Sequence, residues 1–276
     1  RWGDVFSNFV NLKCGVRQGG VLSPHLFACY INDIVRIMEV SGLGCKIKQT
    51  PVCIILYADD IILLSPSLSV SALQQMLFLC ERELAHLEMS LNPKKSVCIR
   101  FGPRFDALCE SLITIDGQRL AWVKSCRYLG VYLEAAKNFK CSFHEAKRLC
   151  YRSFNSIFGK VGRHASEEVT VELIQTKCSP IILYGLDACP VNAADNHSLD
   201  FVLNRSLMKL FQTGSIFVIN ECRSAFNIQL LSEMVKIRKI RFLTKFSACN
   251  NLRCVLFVNV AAAELSEIGR QSAHIQ

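Results

Sequence analysis

The chain of 276 residues contains no apolar run of about 18 residues, which excludes an ordinary membrane-spanning helix. The longest candidate, residues 254–263, is short and is interrupted by Asn259. The chain also has no internal repeat, and none of its six histidines pairs with a serine or cysteine motif typical of hydrolases. We therefore expect a globular protein of one or two domains that does not associate with membranes.

Cysteine is abundant, but its distribution argues against both a disulfide framework and a zinc site. The 15 cysteines are odd in number, and no Cys-x-x-Cys pair occurs. Cys141-x-x-His144 and Cys249-x4-Cys254 come nearest to ligand spacing, but each lacks the second half of a tetrahedral site. Most cysteines, such as Cys29 and Cys53, stand in apolar contexts, which predicts small buried side chains in a reducing compartment.

Two adjacent carboxylates interrupt the most apolar part of the chain. Asp59 and Asp60 separate two short apolar runs, residues 52–56 and 61–64, and each run predicts a buried strand. The aspartates are therefore expected at a tight hairpin, where burial would have to be offset by pairing or by a metal. Oxygen ligands suit Mg²⁺, and such an ion would serve phosphoryl transfer. The ordinary alternative is an Asp-Asp surface turn.

A segment with two adjacent glycines, residues 15–24, precedes a predicted helix. Ser23 is the expected N-cap and Pro24 the first helical residue, with the helix continuing to Val40. Arg17 and Gln18 would then lie just before a helix N-terminus, which attracts anions. Taken alone, this pattern is usually only a turn.

Together these segments resemble the polymerase palm of reverse transcriptases, in particular those of LINE-type, non-LTR retrotransposons. The resemblance covers about residues 1–133 and continues more loosely, through Leu183-Tyr184-Gly185, to about residue 250. The matching stretches, in the family's order, are residues 1–3, 15–27 with 32–33, 57–60, 91–96 and 128–131. The resemblance implies an RNA-directed DNA polymerase that transfers nucleotides from dNTPs to a DNA primer 3′-OH on an RNA template, using two Mg²⁺ ions.

The resemblance also implies roles for the catalytic side chains. Asp59 would be the main metal ligand and Asp60 its supporting partner. Lys95 would lie near the triphosphate and assist the pyrophosphate leaving group. Lys94 and Lys95 could instead be an ordinary solvated turn.

Further positions match the family's nucleotide and primer contacts. Nucleotide- and template-binding roles fall on Arg17, Gln18, Gly19 and Tyr57, with Arg17 the weaker candidate. The hairpin that holds the primer end would be formed by Tyr128, Leu129 and Gly130, although Tyr128 and Leu129 could also be core strand residues.

The fold implied by the resemblance is α+β. Residues 1–138 would form a partial palm, with an antiparallel sheet packed on helices, and residues 139–276 a mostly helical thumb-like region. Helical patterns occur near residues 142–158, 167–183, 194–211 and 229–249. An Asp-Gly pair at 116–117 predicts a further hairpin.

Positive charge predominates, with a formal net charge of +9 that lies mainly after residue 140. A basic surface attracts phosphate backbones without reading sequence. The sharpest cluster lies on one predicted helix and consists of Lys236, Arg238, Lys239, Arg241 and Lys245. We predict a nucleic-acid backbone contact there, with an ordinary solvated helix face as the alternative.

The sequence departs from the family pattern at a position that bears on catalytic activity. The family's first catalytic aspartate lies on a strand upstream of the Gly15 segment, and Asp4 is the only carboxylate before that segment. No fingers or endonuclease region is recognisable, and the chain starts at Arg1, so we expect a fragment that is inactive alone.

Two alternatives to a polymerase fragment of this type stay open. One is a catalytically dead nucleic-acid-binding remnant of the same fold. The other, less favoured, is an intron-encoded or telomerase-like reverse transcriptase. In each case we expect an intracellular protein of the cytoplasm and nucleus.

Overall fold

The computed structural model describes residues 3–6, 8, 19–66, 70–161 and 164–273, and the chain divides into two compact units. The first unit extends to residue 98 and includes 108–122; the second comprises 99–107 and the chain from 123 onward. The fold is α+β, as predicted. This division by compactness falls earlier than the expected boundary at 138, so the palm and thumb limits stay a prediction.

The first unit combines two helices with short strands. Two antiparallel hairpins, β1–β2 and β3–β4, follow helix α1, and a small sheet of order β5-β7-β6 follows helix α2. The elements are α1 (Ser23–Val40), β1 (Lys46–Ile47), β2 (Thr50–Pro51), β3 (Ile54–Tyr57), β4 (Asp60–Leu63), α2 (Val70–His86), β5 (Val97–Cys98), β6 (Leu112–Ile113) and β7 (Arg119–Trp122). The predicted hairpin at 116–117 is confirmed by the β6–β7 pairing.

Helix α1 begins one residue earlier than the sequence predicts. Leu22, with φ −85° and ψ −16°, is the N-cap residue, and no side chain caps the helix. Ser23 is therefore already helical and cannot act as the N-cap, while Pro24 is tolerated in the first turn because its missing N–H would have no partner there. Ile31 and Ile34 are buried as the helical period requires, but Leu26 is half exposed.

The β3–β4 hairpin is anchored at its base by backbone hydrogen bonds. The amide of Leu64 donates to the Cys53 carbonyl at 2.7 Å, and the amide of Cys45 donates to the Leu64 carbonyl at 2.9 Å. Gly44 allows this close approach, since a Cβ there would lie 2.5 Å from the Cβ of Cys53. Cys53 and Ile54 are fully buried together with residues of α1 and α2, namely Ile31, Ile34, Met38, Met76, Cys80 and Leu84.

The second unit has a three-stranded antiparallel sheet of order β10-β9-β8 followed by helices. Its elements are β8 (Ser125–Tyr128), β9 (Val131–Glu134), β10 (Lys140–Ser142), α3 (His144–Val161), α4 (Glu167–Leu173), a π-helical segment (Ile174–Cys178), α5 (Ser179–Leu183), α6 (Ala193–Leu210), α7 (Ile216–Ala225), α8 (Leu231–Ser247) and α9 (Leu252–Ala273). The four predicted helical regions are present, whereas α7 and α9 were not predicted. Across the described residues, no helix is long and apolar enough to cross a membrane.

Helices α3 to α8 of the second unit contribute to one apolar core, with Phe154 of α3 and Leu199 of α6 inside it. Two polar contacts fix the helix ends. Asn192 and Asp195 form a capping box at the start of α6. Asp200 of α6 accepts hydrogen bonds from the amide and hydroxyl of Ser232, at 2.9 and 2.6 Å, and so holds the first turn of α8.

The prediction of buried cysteines holds for half of the 14 cysteines in the described part of the chain, since seven are buried, five are half-buried and two are exposed. Cys53, Cys80 and Cys98 are buried, whereas Cys29 is exposed, because it falls on the solvent side of α1. Burial raises the pKa of the Cys80 thiol to about 12 and that of Cys98 to about 11. These side chains are therefore protonated, unreactive thiols at neutral pH.

Replacing Phe154 by alanine tests the core of the second unit. Phe154 is only 2% exposed, so we expect a loss of about 3–5 kcal/mol in the free energy of unfolding, from lost burial and from the cavity. Phe217→Ala is the matched control, because Phe217 is 67% exposed and should change stability by only about 0.5 kcal/mol. Urea denaturation of the two variants would measure both, and equal effects would contradict this core assignment.

Candidate functional site

The two predicted catalytic aspartates lie at the tip of the β3–β4 hairpin. Tyr57 pairs with Asp60, so Ala58 and Asp59 form the two-residue turn and Asp60 is the first residue of β4. Ala58 has φ +50°, at the position where hairpin turns of type II′ place glycine. A positive φ is uncommon for alanine, and strained backbone of this kind concentrates at functional sites. The predicted hairpin is confirmed, and its tip contains a strained residue next to Asp59.

The tip is open to solvent. Tyr57 is 61% exposed, and Asp59 and Asp60 are both exposed. Residues 52–54 are buried, but residues 61–64 are only half-buried, so the prediction of two fully buried strands holds only at the hairpin base. The carboxylates therefore need no internal partner to offset burial. Their exposure instead leaves their oxygens accessible to a ligand.

The two carboxylates suit a hard divalent ion only in part. Mg²⁺ is typically held by one or two carboxylates together with substrate phosphates, and adjacent aspartates can supply that number. Among the described residues, no three Asp, Glu, His or Cys side chains lie close enough together to hold a metal ion. The described hairpin thus offers a partial ligand set that a substrate or a further carboxylate would complete.

Three other predicted residues of the first unit, Gly19, Lys94 and Lys95, lie in turns. Asn92 organises the turn before β5, since its side-chain oxygen accepts from the amides of Lys94 and Lys95 at 3.1 and 3.3 Å. Both lysine side chains are exposed. Gly19 is exposed with φ +78°, while Arg17 and Gln18 lie outside the described residues.

The predicted primer-holding residues form the tip of the β8–β9 hairpin in the second unit. Tyr128 pairs with Val131, which leaves Leu129 and Gly130 as the two-residue loop. Their φ values of +45° and +83° are both positive, as a type I′ turn requires. Leucine is unusual in this conformation, so neighbouring contacts must hold the turn.

Tyr184 supplies such a contact and was not predicted as a site residue. Its hydroxyl donates a hydrogen bond to the carbonyl of Leu129 at 3.1 Å. Its ring lies so close to Gly130 that a Cβ there would be 2.8 Å from the Tyr184 Cε1 atom. The ring is nevertheless 60% exposed, so it supports the hairpin tip more than it adds to the buried apolar core. The sequence signal was the loose family match at Leu183-Tyr184-Gly185.

The five basic residues predicted to contact nucleic acid all lie on α8, but they do not share one face. Lys239 is only 14% exposed and is engaged internally, with its ammonium 2.5 Å from the Glu264 carboxylate and donating to the Cys189 carbonyl. Arg238 lies 3.8 Å from Asp187. At 100° per residue, Lys236 is on the opposite flank of the helix from Arg241 and Lys245. Arg241 and Lys245 are exposed.

A carboxylate pair on a hairpin tip in a small α+β unit, followed by a helical unit, is the arrangement expected of the palm and thumb of a nucleic-acid polymerase. Residues 6–133 match the family model described as reverse transcriptase (RNA-dependent DNA polymerase). This segment, a little under half of the chain, is similar to the reverse transcriptase family, and the predicted resemblance to LINE-type enzymes is confirmed by the relatives.

The relatives are polymerases of mobile elements. The RNA-directed DNA polymerase from mobile element jockey of Drosophila funebris is 30% identical over 133 residues, 47% of this chain and 14% of the relative. The probable RNA-directed DNA polymerase from transposon BS of Drosophila melanogaster is 23% identical over 204 residues, 72% of this chain and 22% of the relative. The Pol polyprotein from type-1 retrotransposable element R2 of Popillia japonica is 25% identical over 229 residues, which cover 77% of this chain and 35% of the relative.

These alignments also show how much of each relative this chain covers and how far along this chain the similarity extends. The chain spans 14–35% of the length of these curated relatives, and two of the alignments extend well beyond residue 133. The similarity therefore continues into the second unit. The family implies a divalent metal cofactor and the binding of a nucleic-acid template and primer.

Substituting Gly130 by alanine tests the contact between Tyr184 and the β8–β9 hairpin. Alanine at positive φ costs about 1–2 kcal/mol, and the new Cβ would also displace the Tyr184 ring and its hydrogen bond, at about 1 kcal/mol more. Gly117→Ala is the matched control, since Gly117 has φ +77° and open space around it. In a Tyr184→Ala background the extra cost should disappear. Urea denaturation measures each variant, and equal costs for Gly130→Ala and Gly117→Ala would contradict the contact.

Proposed function

We propose that this chain is part of an RNA-directed DNA polymerase that adds dNTPs to the 3′-OH of a DNA primer on an RNA template. The observation that carries the proposal is the exposed Asp59-Asp60 pair at a strained hairpin tip, within the segment that matches the reverse transcriptase family. The active assembly would include fingers and endonuclease regions of the longer protein, as the length of the relatives suggests.

The two aspartates would act as metal ligands, with Asp59 the main ligand and Asp60 in support. We infer that the metal is Mg²⁺ and that two ions take part, because hard oxygen ligands and substrate phosphates suit that ion. When bound, such ions neutralise charge on the attacking and leaving oxygens. The anchored base of the hairpin would keep the two carboxylates in place during the reaction.

The remaining site residues would hold substrate and primer. Lys95, presented by the Asn92 turn, would stabilise the pyrophosphate as it leaves. Arg17, Gln18, Gly19 and Tyr57 would contact the incoming nucleotide and the template. The Tyr128-Leu129-Gly130 hairpin, supported by Tyr184, would hold the primer end.

The basic residues of α8 would contribute unequally to nucleic-acid binding. Arg241 and Lys245 are exposed on one flank and are free to approach a phosphate backbone, and Lys236 would act from the other flank. The Arg238 guanidinium lies near the Asp187 carboxylate, and the Lys239 ammonium forms an ion pair with the Glu264 carboxylate. We therefore expect Lys239 to stabilise the α8–α9 pair instead of contacting phosphate.

A non-catalytic role is the second candidate for the chain on its own. The described residues bring together two carboxylates but no group of three possible metal ligands, and a two-ion site normally requires a further carboxylate. We infer that the isolated chain binds primer–template without extending it.

Primer extension on poly(rA)/oligo(dT) with Mg²⁺ and dTTP tests both candidates. We expect no extension by the isolated chain, together with binding to the primer–template that weakens as salt rises, because phosphate contacts release counterions. Extension that is lost in Asp59→Asn but kept in the exposed control Asp106→Asn would confirm the catalytic site and overturn the inference of inactivity. A chain that neither extends nor binds the primer–template would contradict the proposed function.

A further inference from the structure

A cleft of about 450 Å³ lies between α3 and α6 in the second unit, and none of the predicted site residues lines it. Its polar lining comes from α3, from α6 and from the turn after α6. These side chains are Tyr151, Asn155, Arg205, Ser206, Lys209, Gln212 and Thr213. None of the residues that line the cleft is acidic. The cleft therefore presents two cations without a carboxylate to neutralise them.

Lys209 is fixed in place by neutral groups. Its ammonium donates to the side-chain oxygen of Asn155 at 2.9 Å. It also lies 5.2 Å from the ring centroid of Phe158 and 5.9 Å from that of Phe154, within the range of cation–π attraction. These contacts orient the ammonium but leave its full positive charge available to a ligand.

Arg205 lies one turn before Lys209 on the same helix, and it is exposed. In the described part of the chain, its guanidinium makes no hydrogen bond and no ion pair. Like charges at positions i and i+4 of a helix repel each other by a few tenths of a kcal/mol. Arg205 also lowers the pKa of the Tyr151 hydroxyl, although burial is the larger cause and raises that pKa overall. An anion bound between Arg205 and Lys209 would relieve the repulsion.

The rim of the cleft contains a strained residue. Gln212 has φ +49° immediately after α6, where helices usually place glycine, and the amide of Thr213 donates to the Met208 carbonyl at 3.1 Å. A glutamine in this conformation is uncommon, and it brings an amide side chain to the cleft. Gln212, Thr213 and Tyr151 can all form hydrogen bonds with a ligand beside the two cations.

We propose that this α3–α6 cleft binds the phosphodiester backbone of a single nucleic-acid strand, with a phosphate between Arg205 and Lys209. A cationic groove with polar and aromatic side chains is how proteins bind single strands without reading sequence. The planar guanidinium of Arg205 matches the geometry of a phosphate. The inference rests on the proposed function and adds a contact site on α6, whereas the sequence places the backbone contacts on α8.

Fluorescence anisotropy with a labelled oligouridine RNA of about 12 nucleotides tests the site on the full chain. The variants are Arg205→Gln, Lys209→Gln and the double variant, titrated between about 50 and 300 mM salt. Each single substitution should raise the dissociation constant about tenfold. Each should also reduce the slope of log affinity against log salt by about 0.7, because one phosphate contact is lost.

Lys177→Gln is the matched control, since it removes one exposed charge of the second unit that lies outside the cleft, and it should leave affinity nearly unchanged. Lys209→Arg keeps the charge and should retain most of the binding, and thermal melting would show that each variant is folded. If neither Arg205→Gln nor the double variant weakens binding, the cleft is not a binding site, but the proposed function is unaffected. The same conclusion follows if only Arg241→Gln and Lys245→Gln weaken binding. No RNA binding by the unsubstituted chain would contradict both this site and the proposed function.

Discussion

The candidate active site depends on the register of the β3–β4 hairpin. Pairing of Ile54 with Leu63 and of Tyr57 with Asp60 leaves Ala58 and Asp59 as the turn, and a shift by one residue would move every side chain to the opposite face. The register is fixed at the base, where Cys53 and Ile54 are buried and backbone bonds join Cys45, Cys53 and Leu64. The apolar core of the first unit thus determines where two exposed carboxylates lie.

The second unit shows the same principle at another hairpin tip. Leu129 and Gly130 both adopt positive φ, and Tyr184 holds them by a hydrogen bond and by contact of its ring with Gly130. In each unit, a buried sheet or helix core supports a short loop whose backbone is strained. Such loops hold their residues in place more accurately than a flexible segment could.

Features set by local pattern could be predicted from the sequence. The hairpins at residues 57–60 and 116–117 and four helical regions follow from apolar runs, turn residues and helical periodicity. Contacts between residues that are far apart in the sequence could not be predicted in this way. The ion pair of Lys239 with Glu264 needs α9, a helix absent from the sequence prediction, and the contact of Tyr184 with Leu129 spans 55 residues of chain. The cleft at Arg205 likewise exists only because α3 packs beside α6.

Metal binding at Asp59 and Asp60 can be tested directly by NMR of the isotopically labelled chain. Mn²⁺ would be added at a substoichiometric concentration in the presence of dTTP. The paramagnetic broadening of each backbone amide resonance would then be mapped onto the chain. We expect broadening centred on residues 57–61 that is abolished by Asp59→Asn and kept in Asp106→Asn. Broadening centred elsewhere, or unchanged in Asp59→Asn, would contradict it.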